Sequence, residues 1–300
     1  AMSHPYTLML FKASNHTVSL PVPAADPVPL LQVQNVTRSY QLPRSGVFSK
    51  PYILRAVDNV SFTLHAGERL GLVGESGCGK STVTRAILGL EQVQAGTIPL
   101  KGAPVWSGRQ PNRAVRRNIQ VVFQDPYGSF NPRHTVARLI TEPYHLLDKP
   151  PDAQERAQAV EEALQAVGLS PKDANKYSHE FSGGQRQRLA IARALILRPD
   201  LIVFDEAVSA LDVSVRAQIL DLIADLSSRF ALSYLFISHD LSVVRCITDR
   251  VMVMRAGIIV EDGPTDQVLR QPRHAYTQSL LVAAPKLPAL GVNAASATET

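Results

Sequence analysis

The sequence predicts an α/β fold, in which short apolar strands alternate with helices along most of its 300 residues. Three wholly apolar segments have the length and composition of buried strands, namely Leu70–Val73, Leu201–Phe204 and Tyr234–Ile237. Leu30–Val36 is an earlier strand candidate, and Val57–Leu64 alternates apolar with polar residues, as half-buried strands do. The composition, 45% hydrophobic and 19% charged, is that of a globular protein.

Two helices are predicted from apolar spacing and from their end signals. The first covers Asp152–Leu169, where Asp152 and Glu155 make a capping-box start and Gly168 closes the helix. The second runs from about Gly184 to Leu197, and Pro199 halts it. The proline-rich residues 1–29 are predicted to be an extended lead-in, and residues 285–300 a loose tail.

Charge, apolar runs and cysteine content bear on three questions: nucleic-acid binding, membrane spans and the redox compartment. The 31 Lys and Arg residues against 26 Asp and Glu leave a net charge of +5. The basic cluster of Arg109, Arg113, Arg116 and Arg117 lacks interleaved aromatic residues and is interpreted as a solvated face, so no nucleic-acid partner is expected. No apolar run approaches the roughly 18 residues that span a bilayer. With two cysteines, one inside a glycine-rich loop, the chain is expected in a reducing cytosol.

A phosphate-binding loop follows the predicted strand Leu70–Val73. The pattern G-x-x-x-x-G-K-[ST] is matched by Gly74, Glu75, Ser76, Gly77, Cys78, Gly79, Lys80, Ser81 and Thr82. Glycines let the backbone N–H groups turn inward around a triphosphate, and the following helix adds its positive N-terminus. Lys80 is predicted to reach the outer phosphates, and the Ser81 hydroxyl to bind Mg²⁺. The sequence therefore predicts binding of a nucleoside triphosphate.

A pair of carboxylates ends the predicted strand Leu201–Phe204. Asp205 is delivered to the carboxyl edge of the sheet, where doubly wound folds bind ligands, and is predicted to hold Mg²⁺ through water. Glu206 is predicted to act as general base on the attacking water.

Between and around these elements lie motifs in a characteristic order. They are Tyr40, Gln124 within Val122–Pro126, the run Phe181–Arg188, Ser209–Asp212, and His239 within Ile237–Asp240. In this order they resemble the ATPase subunits of ABC transporters, over most of the chain. The resemblance implies a P-loop ATPase with a mixed β-sheet core, a helical subdomain at about residues 126–182 and a short C-terminal extension.

The resemblance also implies roles for individual residues. Ser182, Gly183, Gly184 and Gln185 would serve the ATP held by an opposite subunit, in a head-to-tail dimer with two ATP molecules between the subunits. Gln124 would sense the γ-phosphate and join Ser81 and Asp205 as a Mg²⁺ ligand. His239 would contact the γ-phosphate or the water, with Glu206, Lys80 and Gln124 completing the catalytic set. Tyr40 would stack on adenine, although a core aromatic is the alternative.

Two residues depart from the family pattern. Phe181 replaces the usual Leu, and Ala207 replaces the Pro that commonly follows the catalytic Glu. The side chains that carry the chemistry are all present, so a competent ATPase is expected.

Three stretches are similar to the dipeptide, oligopeptide and nickel importer branch of the family. They are the insert Gln41–Leu54, the segment Asp125–Arg133 and the element Arg273–Leu281, in which Ala275 stands where Pro is usual. Branch members with an iron–sulfur cluster carry cysteines beyond that element. Since this chain has none after Cys246, no such cluster is expected.

The expected organisation is a lead-in at 1–29, a nucleotide-binding domain at 30–265 and a C-terminal extension at 266–300. The expected partners are a second ATPase subunit (identical or a paralogue), two transmembrane permeases docked near Gln124 and Asn131, and a substrate-binding protein. The chain would lie peripherally on the cytoplasmic face of the inner membrane and power peptide uptake. The alternatives are a nickel or metal-chelate importer and, more distantly, a non-transport ABC ATPase acting on ribosomes or DNA. A P-loop nucleotide kinase would lack the Ser182–Gln185 signature.

Overall fold

The computed structural model describes residues 18, 20–21, 28–41 and 53–283. Most of the predicted lead-in, residues 42–52 of the predicted insert and the predicted loose tail lie outside the described residues.

The chain alternates strands and helices, as expected. The strands are β1 Pro29–Gln41, β2 Ile53–His65, β3 Arg69–Val73, β4 Ala95–Thr97, β5 Pro99–Leu100, β6 Ala103–Pro104, β7 Trp106–Ser107, β8 Gln110–Pro111, β9 Ile119–Phe123, β10 Leu201–Asp205, β11 Ser233–Ile237, β12 Arg250–Arg255 and β13 Ile258–Pro264. The α-helices are α1 Lys80–Ile87, α2 Arg113–Arg116, α3 Pro126–Ser129, α4 Val136–Ile140, α5 Ala153–Ala166, α6 Gly183–Leu195, α7 Val213–Phe230, α8 Leu241–Ile247, α9 Thr265–Arg270 and α10 Ala275–Ala283. Short 3₁₀ turns cover Glu142–Leu146, Pro171–Asn175 and Ser178–Glu180.

The main sheet has six strands in the order β13-β12-β3-β11-β10-β9. Strands β12, β3, β11, β10 and β9 are mutually parallel, and β13 pairs antiparallel with β12. A second, antiparallel sheet has the order β2-β1-β5-β6, with β4 also paired to β1. The mixed β-sheet core that the resemblance implied is therefore confirmed.

The main sheet separates two apolar cores, because alternate residues of each strand point to opposite faces. On one face Leu72, Val203 and Leu235 pack with strands β1 and β2 and with helix α1. On the other face Phe204 and Tyr234 pack with α6, α7 and α8. Strand β11 is buried along its whole length, which explains why its sequence is a continuous apolar run rather than an alternating one.

Between β9 and β10 the chain is mostly helical. Asp152 and Glu155 form the predicted capping box, with Glu155 N–H to Asp152 Oδ1 at 2.9 Å, and α5 begins at Ala153. Helix α6 begins at Gly183 and ends at Leu195, close to the predicted bounds. A lone bridge joins Thr135 to Tyr177. The extent of the subdomain, about 126–182, stays a prediction.

One boundary differs from the sequence prediction in a way that concerns the site. Strand β1 continues past Val36 to Gln41, so that Tyr40 lies within the strand instead of just after it. Irregular pairing with β2 near Val36 and Arg38 breaks the apolar alternation there, which hid the continuation of the strand.

Truncation of a side chain in β11 tests whether this strand lies at the centre of the main sheet. Leu235 is fully buried, so Leu235→Ala is expected to reduce the free energy of unfolding by about 2–5 kcal/mol. Leu90 is 52% exposed, and Leu90→Ala is the matched control, expected to change it by less than about 0.5 kcal/mol. Urea denaturation followed by circular dichroism measures both. Equal losses in the two variants would contradict the assignment of β11 to the centre of the sheet.

Candidate active site

The carboxyl ends of four parallel strands bring the predicted site residues to one edge of the main sheet. Asp205, at the end of β10, is in register with Phe123 at the end of β9 and with Ile237 at the end of β11. A cleft of about 500 Å³ opens at this edge. Its lining includes Ser76, Ser81, Gln124, Asp205 and Glu206. Residues from three separate sequence motifs, the phosphate loop, the segment around Gln124 and the acid pair, therefore share one cleft.

The phosphate loop connects β3 to α1. Gly79 is the N-cap of α1 at φ 115°, and a Cβ there would lie 2.2 Å from the backbone oxygen of Ala56. Only glycine can occupy this position, because both the left-handed backbone and the close approach exclude a side chain. The N-terminus of α1 therefore opens directly into the loop, as an anion site requires.

Lys80 is buried beneath the loop. Its Nζ donates to the backbone oxygens of Gly74 at 2.7 Å and Glu75 at 2.9 Å, and lies 3.8 Å from Cys78 Sγ. These contacts hold the ammonium group inside the turn of the loop, where the outer phosphates of a nucleotide would meet it. Cys78 is buried, and its small side chain fills space behind the lysine.

The two carboxylates at the end of β10 have different environments. Burial, together with the neighbouring charge of Glu206, raises the pKa of Asp205 above its ordinary range, and Lys80 only partly offsets this. A buried carboxylate held beside another carboxylate is a site that a cation would stabilise.

Glu206 is held in position by the strand beside it. It has a left-handed backbone at φ 52°, and its N–H donates to the oxygen of Ile237 at 3.0 Å. Its Oε2 lies 3.2 Å from His239 Nδ1. Glu206, the predicted general base, and His239 are therefore direct neighbours.

The loop after Glu206 is closed by hydrogen bonds in place of a proline. Ser209 donates to the Glu206 oxygen twice, from Oγ at 2.8 Å and from N–H at 3.1 Å. Ala207 is buried in the core beneath this turn. Arg216 then links the following helix α7 to Asp240, the N-cap of α8, at 2.8 Å.

Tyr40 lies beside the phosphate loop and is positioned by an ion pair. Its hydroxyl donates to Glu91 at 2.7 Å, and Arg38 binds the same carboxylate at 2.6 Å while its guanidinium lies 4.9 Å from the tyrosine ring centre. Burial alone would raise the pKa of Glu91, but the hydrogen bonds from Tyr40 and Arg38 lower it overall, so the carboxylate stays charged. Tyr40 Oη lies 3.5 Å from Thr82 Oγ1. The ring is thus half-buried and fixed close to the start of α1.

The signature residues are away from the cleft, at the N-terminus of α6. Ser182 Oγ accepts from Gln185 N–H at 3.4 Å, and Gln185 Oε1 accepts from Ser182 N–H at 3.0 Å, a reciprocal capping box. Ser182 and Gly183 are exposed. A Cβ on Gly183 would meet nothing within 4 Å, whereas one on Gly184 would lie 2.4 Å from Val215 Cγ1 on α7. Glycine at 184 is therefore required by packing within the chain, and glycine at 183 is not.

The sequence did not indicate the residues that support the site. Glu91 and Arg38 were missed, because nothing in the local pattern connects a glutamate to a tyrosine 51 positions earlier. Ser209 was recognised as part of a motif, but its bonds to Glu206 could not be inferred from spacing. Such partners are set by loop geometry, which a strand or helix periodicity does not encode.

The chain matches the family described as ABC transporter over residues 57–209. The match covers half of the chain and includes the phosphate loop, the acid pair and the signature. The chain belongs to the ABC transporter ATP-binding proteins. Residues 260–296 match a second family, described as the C-terminal region of oligopeptide and dipeptide transporters.

Named relatives cover most of the chain. The dipeptide transport ATP-binding protein DppF of Haemophilus influenzae is 47% identical over 260 residues, covering 86% of this chain and 79% of that protein. The oligopeptide transport ATP-binding protein AppF of Bacillus subtilis is 48% identical over 265 residues, covering 87% of this chain and 80% of that protein.

Solved structures support the fold and the ATPase activity of the family. The dimeric bacterial ABC transporter cassette MJ0796 superposes with a TM-score of 0.68 at 26% identity, covering 79% of this chain and 99% of that one. A post-hydrolysis state of the same cassette, bound to ADP and Pi, gives a TM-score of 0.67. The predicted fold and the assignment as an ATP-binding ATPase are confirmed.

Gly183 and Gly184 of the signature differ in the space around them, and this difference gives a prediction on stability. Gly184→Ala is expected to destabilise the chain by about 1–3 kcal/mol, because its methyl group overlaps Val215. The double variant Gly184→Ala/Val215→Ala is expected to recover part of this loss. Gly183→Ala is the matched control and should unfold no earlier than the parent chain, since the position is open and helical. Thermal unfolding measures all three, and equal behaviour of the two glycine variants would contradict the packing assigned to Gly184.

Asp205→Asn gives a prediction on pH dependence. Since the folded-state pKa of Asp205 is raised, its ionised form destabilises the fold, and the cost is absent below its unfolded-state pKa and grows as pH rises through the folded-state value. Asn should therefore raise the melting temperature of the nucleotide-free protein at neutral pH, by roughly 2–4 °C per kcal/mol gained. The difference should vanish only when the pH lies well below about 3.9, the ordinary aspartate pKa. Calorimetry at several pH values measures it, and a variant less stable at pH 7 would refute the assignment.

Proposed function

We propose that this chain is the ATP-hydrolysing subunit of an importer for dipeptides or oligopeptides. The observation that carries the proposal is the match of residues 260–296 to the C-terminal region of oligopeptide and dipeptide transporters, which lies beyond the ATPase cassette itself. The relatives named as dipeptide and oligopeptide transport proteins are consistent with it.

The grouping of these residues at one edge of the sheet supports a proposed mechanism for hydrolysis of ATP. The loop amides at the start of α1 and the Lys80 ammonium would bind the phosphates and stabilise the charge that develops on the γ-phosphoryl group. Glu206 would accept a proton from the attacking water, and His239, 3.2 Å from its carboxylate, would hold the base and the water in line. The bond to the leaving ADP oxygen breaks as the water oxygen bonds to phosphorus.

A magnesium site fits the same cleft. Ser81, Gln124 and Asp205 supply hydroxyl, amide and carboxylate oxygens, the donors that Mg²⁺ prefers, and the raised pKa of Asp205 marks a carboxylate that gains from a nearby cation. When bound, the ion would neutralise phosphate charge.

We propose that the working unit is a dimer in which Ser182 and Gly183 of one subunit complete the ATP site of the other. Both residues are exposed at a helix N-terminus and lie apart from the cleft of their own chain. The solved cassette MJ0796 is itself described as dimeric. The second subunit is an identical copy or a paralogue.

The remaining partners are two transmembrane permeases, docked near Gln124 and Asn131, and a substrate-binding protein. Among the described residues no helix is long and apolar enough to cross a membrane. We place the chain peripherally on the cytoplasmic face of the inner membrane. The proposed division is a cassette at 30–265 containing the helical subdomain, with an extension at 266–300.

Nickel or metal-chelate import is the second candidate. It is favoured by Ala207, because nickel importers of this branch also tolerate Ala after the catalytic Glu, where Pro is usual. Uptake assays with labelled di- and oligopeptides and with nickel, in cells lacking this gene and in complemented cells, distinguish the two. Loss of peptide uptake supports the proposal, and loss of nickel uptake alone would replace it. ATPase activity stimulated by RNA without membrane subunits would favour the non-transport alternative.

The proposed base gives a prediction on turnover. Glu206→Gln should still bind ATP, because the phosphate loop is untouched, while turnover falls by about 10²–10⁴-fold. The matched control Glu161→Gln, on the exposed face of α5, should retain full activity. Phosphate release and equilibrium binding of a fluorescent ATP analogue measure the two properties. Full turnover in Glu206→Gln would remove this residue from the mechanism.

A further inference from the structure

The C-terminal helix α10 contacts the phosphate loop through one side chain. The backbone N–H of Glu75 donates to the hydroxyl oxygen of Tyr276 at 3.1 Å. Tyr276 is 5% exposed, so this bond is largely shielded from water. The helix and the loop are 201 positions apart in sequence, and the contact joins the extension to the nucleotide site.

The position of Tyr276 is fixed from three directions. The guanidinium of Arg255, at the end of β12, lies 4.9 Å from its ring centre. The turn before α10 is held by Glu261 of β13, whose carboxylate accepts from the N–H groups of Arg273 at 2.8 Å and His274 at 3.1 Å. His274 Nδ1 in turn accepts from Tyr276 N–H at 3.1 Å. The tyrosine is therefore anchored to the main sheet and not only to its own helix.

The charge on Glu261 strengthens this anchor. Burial alone would raise its pKa, but the N–H groups of Arg273 and His274, among other contacts, lower it overall. The carboxylate is therefore ionised at neutral pH, and hydrogen bonds to an ionised acceptor are stronger than those to a neutral one.

The contact helps to fix the backbone of Glu75 in the phosphate loop on both sides of its Cα. The Glu75 N–H is bound by Tyr276, and the Glu75 oxygen by Lys80 Nζ at 2.9 Å. Further along the loop, the Cys78 oxygen accepts from Gly257 N–H at 2.9 Å, in the turn between β12 and β13. The loop is thus supported by β12 and β13, which carry Arg255 and Glu261, and by the turn between them.

We propose that Tyr276 is a positioning residue for the phosphate loop, through which the C-terminal extension sets the affinity of the site for ATP. The inference rests on the proposed nucleotide site. A loop that is ordered before the nucleotide arrives loses less conformational entropy on binding, so the support contributes to affinity without touching the ligand. The loop would hold the phosphates equally before and during the reaction. Loss of the support from Tyr276 should therefore raise KM and leave kcat unchanged.

Tyr276→Phe tests the proposal, because it removes the hydroxyl and keeps the ring against Arg255. The dissociation constant for ATP and the KM are expected to rise about 3–10-fold, as loss of one hydrogen bond predicts, with kcat within about twofold. Ser279→Ala is the matched control. It removes a bond of the same helix, from Ser279 Oγ to the Tyr276 oxygen at 2.8 Å, that does not reach the loop.

A second variant, Glu261→Gln, weakens the anchor of Tyr276 without changing the residue that contacts the loop. Glu261→Gln keeps the size of the side chain and removes the charge that holds the turn before α10. If it acts through Tyr276, it should also raise the dissociation constant, and the double variant Tyr276→Phe/Glu261→Gln should be no weaker than the worse single variant. Fully additive effects would overturn the coupling through Tyr276.

Thermal unfolding of every variant separates positioning from general support of the fold. The proposal is overturned if Tyr276→Phe lowers the melting temperature and leaves affinity unchanged, or if Ser279→Ala weakens ATP binding equally. If the parent chain fails to bind ATP, the proposed nucleotide site is wrong. If it binds ATP and Tyr276→Phe binds equally well, only the role of Tyr276 is wrong.

Discussion

The parallel register of β3, β11, β10 and β9 is the constraint on which the site depends. Strands β3, β10 and β11 are buried along nearly their whole length, and β9 pairs in register with β10. The position of each strand along its neighbours is therefore set by packing and by the hydrogen-bond ladder. The four carboxyl ends therefore open at one edge and carry the phosphate loop, Gln124 and the acid pair to a single cleft, with His239 beside Glu206. A slip of one residue in any strand would turn its apolar side chains to the opposite core and separate these groups.

Around this edge, polar contacts fix the conformations of residues that the strands place only approximately. The Glu206 backbone is held by Ile237 on one side and Ser209 on the other, in a conformation that non-glycine residues rarely adopt. Tyr40 is fixed by Arg38 and Glu91. Some of these supporting residues are distant in sequence, as Ile237 is from Glu206 and Glu91 from Tyr40. Others are near, as Ser209 is to Glu206 and Arg38 to Tyr40.

The sequence predicted those parts of the molecule that follow from local chemistry. The buried strands, the capping box at Asp152 and the phosphate loop each follow from a short pattern with one physical meaning, and each lies where it was expected. The course of β1 through Tyr40 was not predicted, because irregular pairing removes its alternation. The Tyr276 contact was equally hidden, although its motif was recognised, because a bond across 201 positions depends on how helix α10 packs.

The position of Lys80 has a consequence for the cycle of the enzyme. Its ammonium group is bound by the Gly74 and Glu75 oxygens, so the protein itself supplies partners for this buried positive charge. A phosphate group that binds Lys80 as predicted would exchange places with these two backbone oxygens, and its release would not leave the ammonium group bare.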